Sequence, residues 1–224
     1  ESKKIYKKIQ NKLSELQTKF EENLLDATHA WKKHITDKNE LSGIPDSVIA
    51  LASETAKKEN KEGWLFTLEA PFYIPVMKYA DSSALRKEMY WAYTTRASEI
   101  GPNAGEFDNT KIMYDILEYR TKKSELLGFK NFANYSLETK MAKSTDEVLN
   151  FLTNLVDRTK KYAINEFEEL EEFTSRLSGI NNLKAYDILY YSEKLKQKKF
   201  SISQEELRRY FPIKQVINGL FSIT

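Results

Sequence analysis

Cysteine is absent from all 224 residues, which removes disulfides, thiol catalysis and every cysteine-based zinc knuckle from this stretch. Histidine is almost as scarce, with only His29 and His34. Hydrolysis on a two-histidine helix needs both imidazoles on one face, hence the H-E-x-x-H spacing, with a glutamate beside the metal-bound water to take its proton. Five positions apart on a helix, His29 and His34 diverge by about 140°. Asp26 and His29 stand three apart in "DATH", as in di-metal carboxylate proteins, but those need several such elements on facing helices and no second Glu-x-x-His occurs. No apolar run approaches the roughly 20 residues that span a bilayer. Neither sign of charge dominates, since Lys+Arg 35 against Asp+Glu 33 leaves +2.

Glycine and proline are few, 7 and 5, and they fall where helical patterns break. With 41% hydrophobic and 30% charged residues the composition suits a globular chain with a real core rather than a disordered one. The fold class expected is mainly α, a multi-helix array with one short β-strand or hairpin. The pattern predicts a first helix from about Lys3 to the Thr36-Asp37 region and a second from Pro45 to about Asn60. Trp64 to Ala70 reads as a strand, with Phe66 and Leu68 on one face, Thr67 and Glu69 on the other, and Pro71 ending it. Its expected partner is "KKFSIS", near Phe200 and Ile202, or a segment outside this sequence. "PFYIPVMKY" reads as a short helix or turn broken by Pro75.

Helical spacing resumes from Ser83 to Ser98, and "GPNAGEFD" forms a loop. Asp108 or Asn109 caps the following helix, which Gly128 terminates. Ser144 and Glu147 have the spacing of a capping box. The long helix they open carries Val148, Leu152, Leu155, Phe167, Leu170, Phe173 and Leu177 until Gly179. Another helix runs through "AYDILYYSEKLKQ", followed by a second capping box at Ser203 and Glu206. A last one is entered through Pro212, with Val216, Ile217, Leu220 and Phe221 on its apolar face. No repeat period recurs.

Several stretches invite a chemical reading and receive a plainer one. Lys3, Lys4, Lys7, Lys8 and Lys12 flank Ile5, Ile9, Leu13, Leu16 and Phe20, so they form the wet side of a core helix rather than a nucleic-acid or anionic-membrane footprint. The glutamates of "NEFEELEEF" alternate with Phe167, Leu170 and Phe173 and make a solvated face. Tyr190 and Tyr191 diverge by about 100° and read as core or boundary residues. "GPNAG" lacks the spacing and lysine of a phosphate loop, and no G-x-S-x-G elbow is present. These residues carry no catalytic constellation.

Taken in order, "GWLFTLEAPFYIPVM", the run from "YTTRASEIGPNAGEFDN" to "NFANYSLETKMAKS", "YDILYYSEKLKQ" and "SISQEELRRYFPIKQVINGLF" resemble consecutive segments of the thimet-oligopeptidase family of zinc metallopeptidases. The resemblance runs from about Phe20 to the end. It implies a larger two-lobed helical body with a deep channel, zinc at its floor, and helices like these in the channel wall. It implies short peptides as substrates and a cytoplasmic location. The family's zinc ligands lie in a later half containing H-E-x-x-H, so no catalytic, cofactor-binding or metal-ligating position transfers to residues 1–224.

Residues 1–224 are therefore expected to be a single helical segment of a larger peptidase, truncated at both ends, inactive alone, with the catalytic zinc-binding half as its missing partner. Glu1 in place of methionine and the apolar close on "VINGLFSIT" prompt the same expectation. Exposed apolar area is expected near Val216, Ile217, Leu220 and Phe221, where a dimer is another way to hide it. The competing reading is a self-contained helical protein-interaction module that binds a partner through that face.

Overall fold

The computed structural model describes residues 1–202, 206–207 and 210–223, and the chain divides into two compact units. The first comprises residues 1–31 and 91–167, the second residues 32–90 and 168–224. Among the described residues the chain is mainly helical with one two-stranded sheet, as the sequence pattern predicts.

In the first unit, α1 (Ser2–Ala30) lies along α5 (Thr110–Leu126). The contact is the middle of the stripe read from the sequence: Ile9, Leu13 and Leu16, spaced by four and three, are buried with Ile116 and flanked by Ile112, Tyr119 and Leu126, while Ile5 is exposed and Phe20 half-buried. The lysines Lys3, Lys4, Lys7 and Lys8 stay in water on the other side. Asn109 clips the start of α5 to α1. It accepts a buried hydrogen bond from Asn23 Nδ2 at 3.0 Å and donates to the Phe20 carbonyl at 3.0 Å. Asp108 supplies the cap, accepting from the Thr110 backbone N–H at 2.8 Å. At the far end Gly128 takes φ +80°, and the Phe129 N–H returns to the Ser124 carbonyl, which closes the helix. The short α6 (Phe132–Leu137) follows, capped by the Asn131 side chain.

The long α7 (Thr145–Ser178) opens on the expected capping box. Ser144 Oγ accepts from the Glu147 N–H at 3.1 Å, while the Glu147 carboxylate reaches back to the Lys143 N–H at 2.7 Å. The helix stops at Gly179, whose N–H bonds the Ser175 carbonyl.

The second unit contains the sheet, and here the fold departs from the sequence reading in several places. The first helix ends at Ala30, and Lys32–Ile35 forms β1. β1 pairs antiparallel with β2 (Trp64–Thr67), Lys32 opposite Thr67 and Ile35 opposite Trp64. Neither "KKFSIS" nor an outside segment is the partner. Helical propensity loses because pairing satisfies the backbone of 32–35 while sinking Ile35 into the core, an outcome no local window reports. The predicted alternation of β2 is also incomplete: Leu65, Phe66 and Thr67 are all buried, since both faces of this short strand are covered.

Around β2 lie α2 (Asp46–Lys58), which buries Val48, Ala52 and Ala56, and α3 (Ala70–Tyr79), which buries Phe72, Val76 and Met77. The Phe66 and Phe72 rings meet edge to face at 5.8 Å. Pro75 sits inside α3 instead of breaking it, because the carbonyl its ring leaves unbonded belongs to Pro71, a solvent-exposed residue in the first turn. Helix α4 (Ser83–Thr94) is shorter than predicted and ends before Ser98, with Ala97 at φ +52° beyond it. Helix α8 (Ala185–Phe200) lies against α3, and Tyr191 joins Leu170 and Phe173 from the end of α7 in a second small core. The last helix, α9 (Ile213–Ile223), starts after Pro212 as expected and contains no buried residue. The capping box predicted at Ser203 lies outside the described residues.

Candidate functional site

The largest concentration of buried charge is in the second unit, where α8 meets the α3–α4 corner. Arg86 on α4 is 1% exposed and Asp187 on α8 is 3% exposed. The Arg86 Nη2 donates to Asp187 Oδ1 at 2.6 Å, and Nη1 donates to the Ala80 and Asp81 carbonyls at 2.6 and 3.2 Å. Arg86 Nε is the one buried side-chain polar atom without a partner among the described residues. Ser83 Oγ donates a second bond to Asp187 Oδ1 at 3.3 Å. The guanidinium lies 4.1 Å from the centre of the Tyr190 ring, so the cation is flanked by an aromatic face as well as by its carboxylate.

Tyr190 extends the network outward. Its hydroxyl donates to Asp81 Oδ1 at 2.8 Å, and Ser42 Oγ donates to Asp81 Oδ2 at 2.7 Å. Burial pushes the Tyr190 phenol well above its ordinary value, helped by its hydrogen bond to Asp81 and that carboxylate's charge. Partial burial alone would raise Asp81. The hydrogen bonds from Ser42 and Tyr190, with Lys194 and Arg86 nearby, outweigh burial and hold it below its ordinary value. One turn further along α8, the Tyr79 hydroxyl donates to the buried Glu193 at 3.4 Å. Gly43 lets the 42–44 turn approach this corner, because at φ +82° a Cβ would stand 2.2 Å from the Tyr79 carbonyl oxygen.

Chemically the arrangement is a clamp. Its carboxylates are engaged as hydrogen-bond acceptors and its cation is enclosed, so it holds α8 to α3 and α4 and offers no free nucleophile. The sequence reading did not single out Arg86 or Asp187. The available signal was Asp187 itself, a lone acid in the otherwise apolar and aromatic run "AYDILYY". Tyr190 and Tyr191 do fall at the core and boundary as expected, with rings 5.0 Å apart and nearly perpendicular. Tyr191 is buried and its hydroxyl donates to Ser178 Oγ at 3.1 Å.

Neither histidine stands where a zinc site would need it. His29 is in the last turn of α1, whereas His34 is on β1, where its Nε2 pairs with the Glu62 carbonyl. The helical angle between them was the wrong geometry to apply, because the helix ends first. Asp26 is exposed on α1, and among the described residues no three histidine, aspartate or glutamate side chains are grouped so that they could hold a metal ion. Among the described residues the donor set therefore does not fit a zinc site. Glu166, Glu168, Glu169, Glu171 and Glu172 are solvent-exposed, as the solvated-face reading requires. No helix among the described residues is long and apolar enough to cross a membrane.

Comparison with known proteins places the chain. The profile of Peptidase family M3 matches residues 76–224. Oligopeptidase A of Salmonella typhimurium is 48% identical over 223 residues, a match covering 100% of this chain and 33% of the relative. Oligopeptidase A of Escherichia coli matches to the same extent. The probable cytosolic oligopeptidase A of Arabidopsis thaliana is 38% identical over 227 residues, covering 97% of this chain and 32% of the relative. The chain spans about a third of the length of the curated relatives it matches.

Proposed function

The chain belongs to peptidase family M3, and from that premise we propose that it is a non-catalytic helical segment of a zinc-dependent oligopeptidase, part of the wall of a channel that admits short peptides. The observation that carries the reading is the match itself: near-half identity to oligopeptidase A along the whole chain, over only a third of each relative. The chemistry agrees with it. Peptide hydrolysis on a metal needs an ion with an open position and a carboxylate to move the proton of its bound water. Those groups belong to the polypeptide that such a protein has beyond this third.

The segment's own role is positional. A wall must keep its shape while flexible peptides pass, and buried polar networks that are nearly fully bonded rigidify the elements they join. The clamp of Arg86, Asp187, Tyr190 and Asp81 does this for α8 against α3 and α4. Exposure of Val216, Ile217 and Phe221 on α9 supports the same reading, because contiguous apolar surface of this kind is usually covered. The cytoplasm is the proposed location, in keeping with the name of the probable cytosolic oligopeptidase A of Arabidopsis thaliana.

The test compares this 224-residue chain with the full-length protein on a quenched fluorogenic peptide, before and after chelation and zinc replacement. The full-length protein is expected to cleave it, to lose activity to the chelator and to regain it with zinc, while the 224-residue chain does nothing. Cleavage by the short chain, or a full-length protein indifferent to chelation, overturns the proposal. A reading frame ending without a downstream H-E-x-x-H favours the self-contained interaction module instead.

A further inference from the structure

One largely apolar stripe runs along α7 with steps of three and four, interrupted at Thr159: Val148, Leu152, Leu155 with Val156 beside it, then Ala163, Phe167, Leu170, Phe173 and Leu177. Its two ends differ. Leu170 and Phe173 are buried, closed over by Tyr191 and the partly buried Ile188 and Leu195 of α8. From Leu149 to Glu169 every residue of the helix is exposed, although the stripe is mostly apolar there too. Leu152, Leu155, Val156 and Phe167 retain 40–55% of their accessible surface.

We infer that the open stretch of α7, from Val148 to Phe167, seats an amphipathic helix contributed by the part of the parent polypeptide that lies beyond this third. The inference rests on the proposed function, and it names the partner surface within that reading. Three observations select the occupant. A stripe with three-and-four spacing presents ridges suited to a helix, and the covered end of this same stripe is in fact closed by one. The open stretch of about 20 residues extends roughly 30 Å, the span of an ordinary long helix. Relatives with the same segment are about three times as long, so the parent has ample chain to supply it.

Energetics disfavour a second copy. A contact one helix wide is small for an interface that must also offset the translational and rotational freedom lost on association, roughly 4–15 kcal/mol. A segment of the same polypeptide carries little of that cost. A lipid surface fits poorly too, because the other positions carry both signs: Asp157, Arg158, Lys160, Lys161, Glu166 and Glu168.

The test is thiol accessibility with a maleimide, read by peptide mass spectrometry, on single-cysteine variants of the full-length protein and of the 224-residue chain. Ala163→Cys and Leu155→Cys report the stripe, and Lys161→Cys reports the opposite side. Ala163→Cys is the mildest change and covers the case in which Leu155→Cys perturbs folding. In the full-length protein, positions 155 and 163 are expected to label at least tenfold more slowly than in the short chain, with 161 unchanged. Equal rates in both proteins overturn the inference, and so does protection within the short chain that grows with its concentration, which makes a second copy the occupant. The outcomes separate from those of the activity assay. Full-length protein that cleaves peptides but leaves position 163 fully reactive refutes this inference alone, and protection in a protein without metal-dependent cleavage refutes the functional reading alone.

Discussion

Arg86 donates to Asp187 at 2.6 Å across 101 positions of sequence, and both side chains are almost wholly withdrawn from water. Such a pair is costly to desolvate as a whole and far more costly to break by halves, because one partner's removal strands a buried charge. Arg86→Met is therefore expected to destabilise the chain by about 3–5 kcal/mol, whereas Arg86→Met combined with Asp187→Leu recovers most of that loss. Urea unfolding of the two single variants and the double variant checks it. Strict additivity would show that the contact carries no coupling.

The Tyr190–Asp81 bond makes a prediction about pH. A phenol held above its ordinary value near 10 stabilises the fold fully below that pH and loses the contribution as pH rises past it. Asp81 is held below its ordinary value near 3.9, so its contribution is present above that pH and disappears as pH falls through the lower folded value. Tyr190→Phe should flatten the fall in unfolding midpoint above pH 10, and Asp81→Asn should flatten the fall below pH 4. Urea midpoints across both ranges decide, and slopes identical to those of the unaltered chain would contradict the assignment.

Gly43 and Gly128 have almost the same φ, +82° and +80°, but different surroundings. An added Cβ at Gly128 meets open space and bears only the left-handed backbone penalty, about 1–2 kcal/mol. At Gly43 it also collides with the Tyr79 carbonyl and crowds Asp81. Gly43→Ala should lower the melting temperature well beyond Gly128→Ala. Equal shifts would mean that the turn relaxes freely.

The capping box of α7 predicts a local effect. Ser144→Ala is expected to cost about 1 kcal/mol. Amide exchange should quicken at the first turn, Thr145 to Glu147, and stay unchanged near Leu170 and Phe173. Faster exchange along the whole helix would place the effect elsewhere.

Helices with a long, regular apolar stripe were legible in advance: Ile9, Leu13 and Leu16 of α1 and the capped start of α7 stand where their spacing predicted. The turn residues Gly128, Gly179 and Pro212 marked boundaries for the same reason, since backbone preference is local. Pro75 misled, because what a proline costs a helix depends on whether the carbonyl it frees can reach water. The strand at 32–35 misled more, because nothing between Trp31 and Thr36 announces a partner near Phe66.

The residues by themselves determined the mainly helical class, the scarcity of histidine and cysteine and the family likeness, since each depends on what is present and at what spacing along one stretch. The tertiary structure alone decided that β1 pairs with β2, that His34 lies on a strand, and that Arg86 and Asp187 meet. Those outcomes depend on free energy shared between segments distant in sequence: a backbone group or a buried charge is satisfied only when its partner arrives, and no local pattern encodes that arrival.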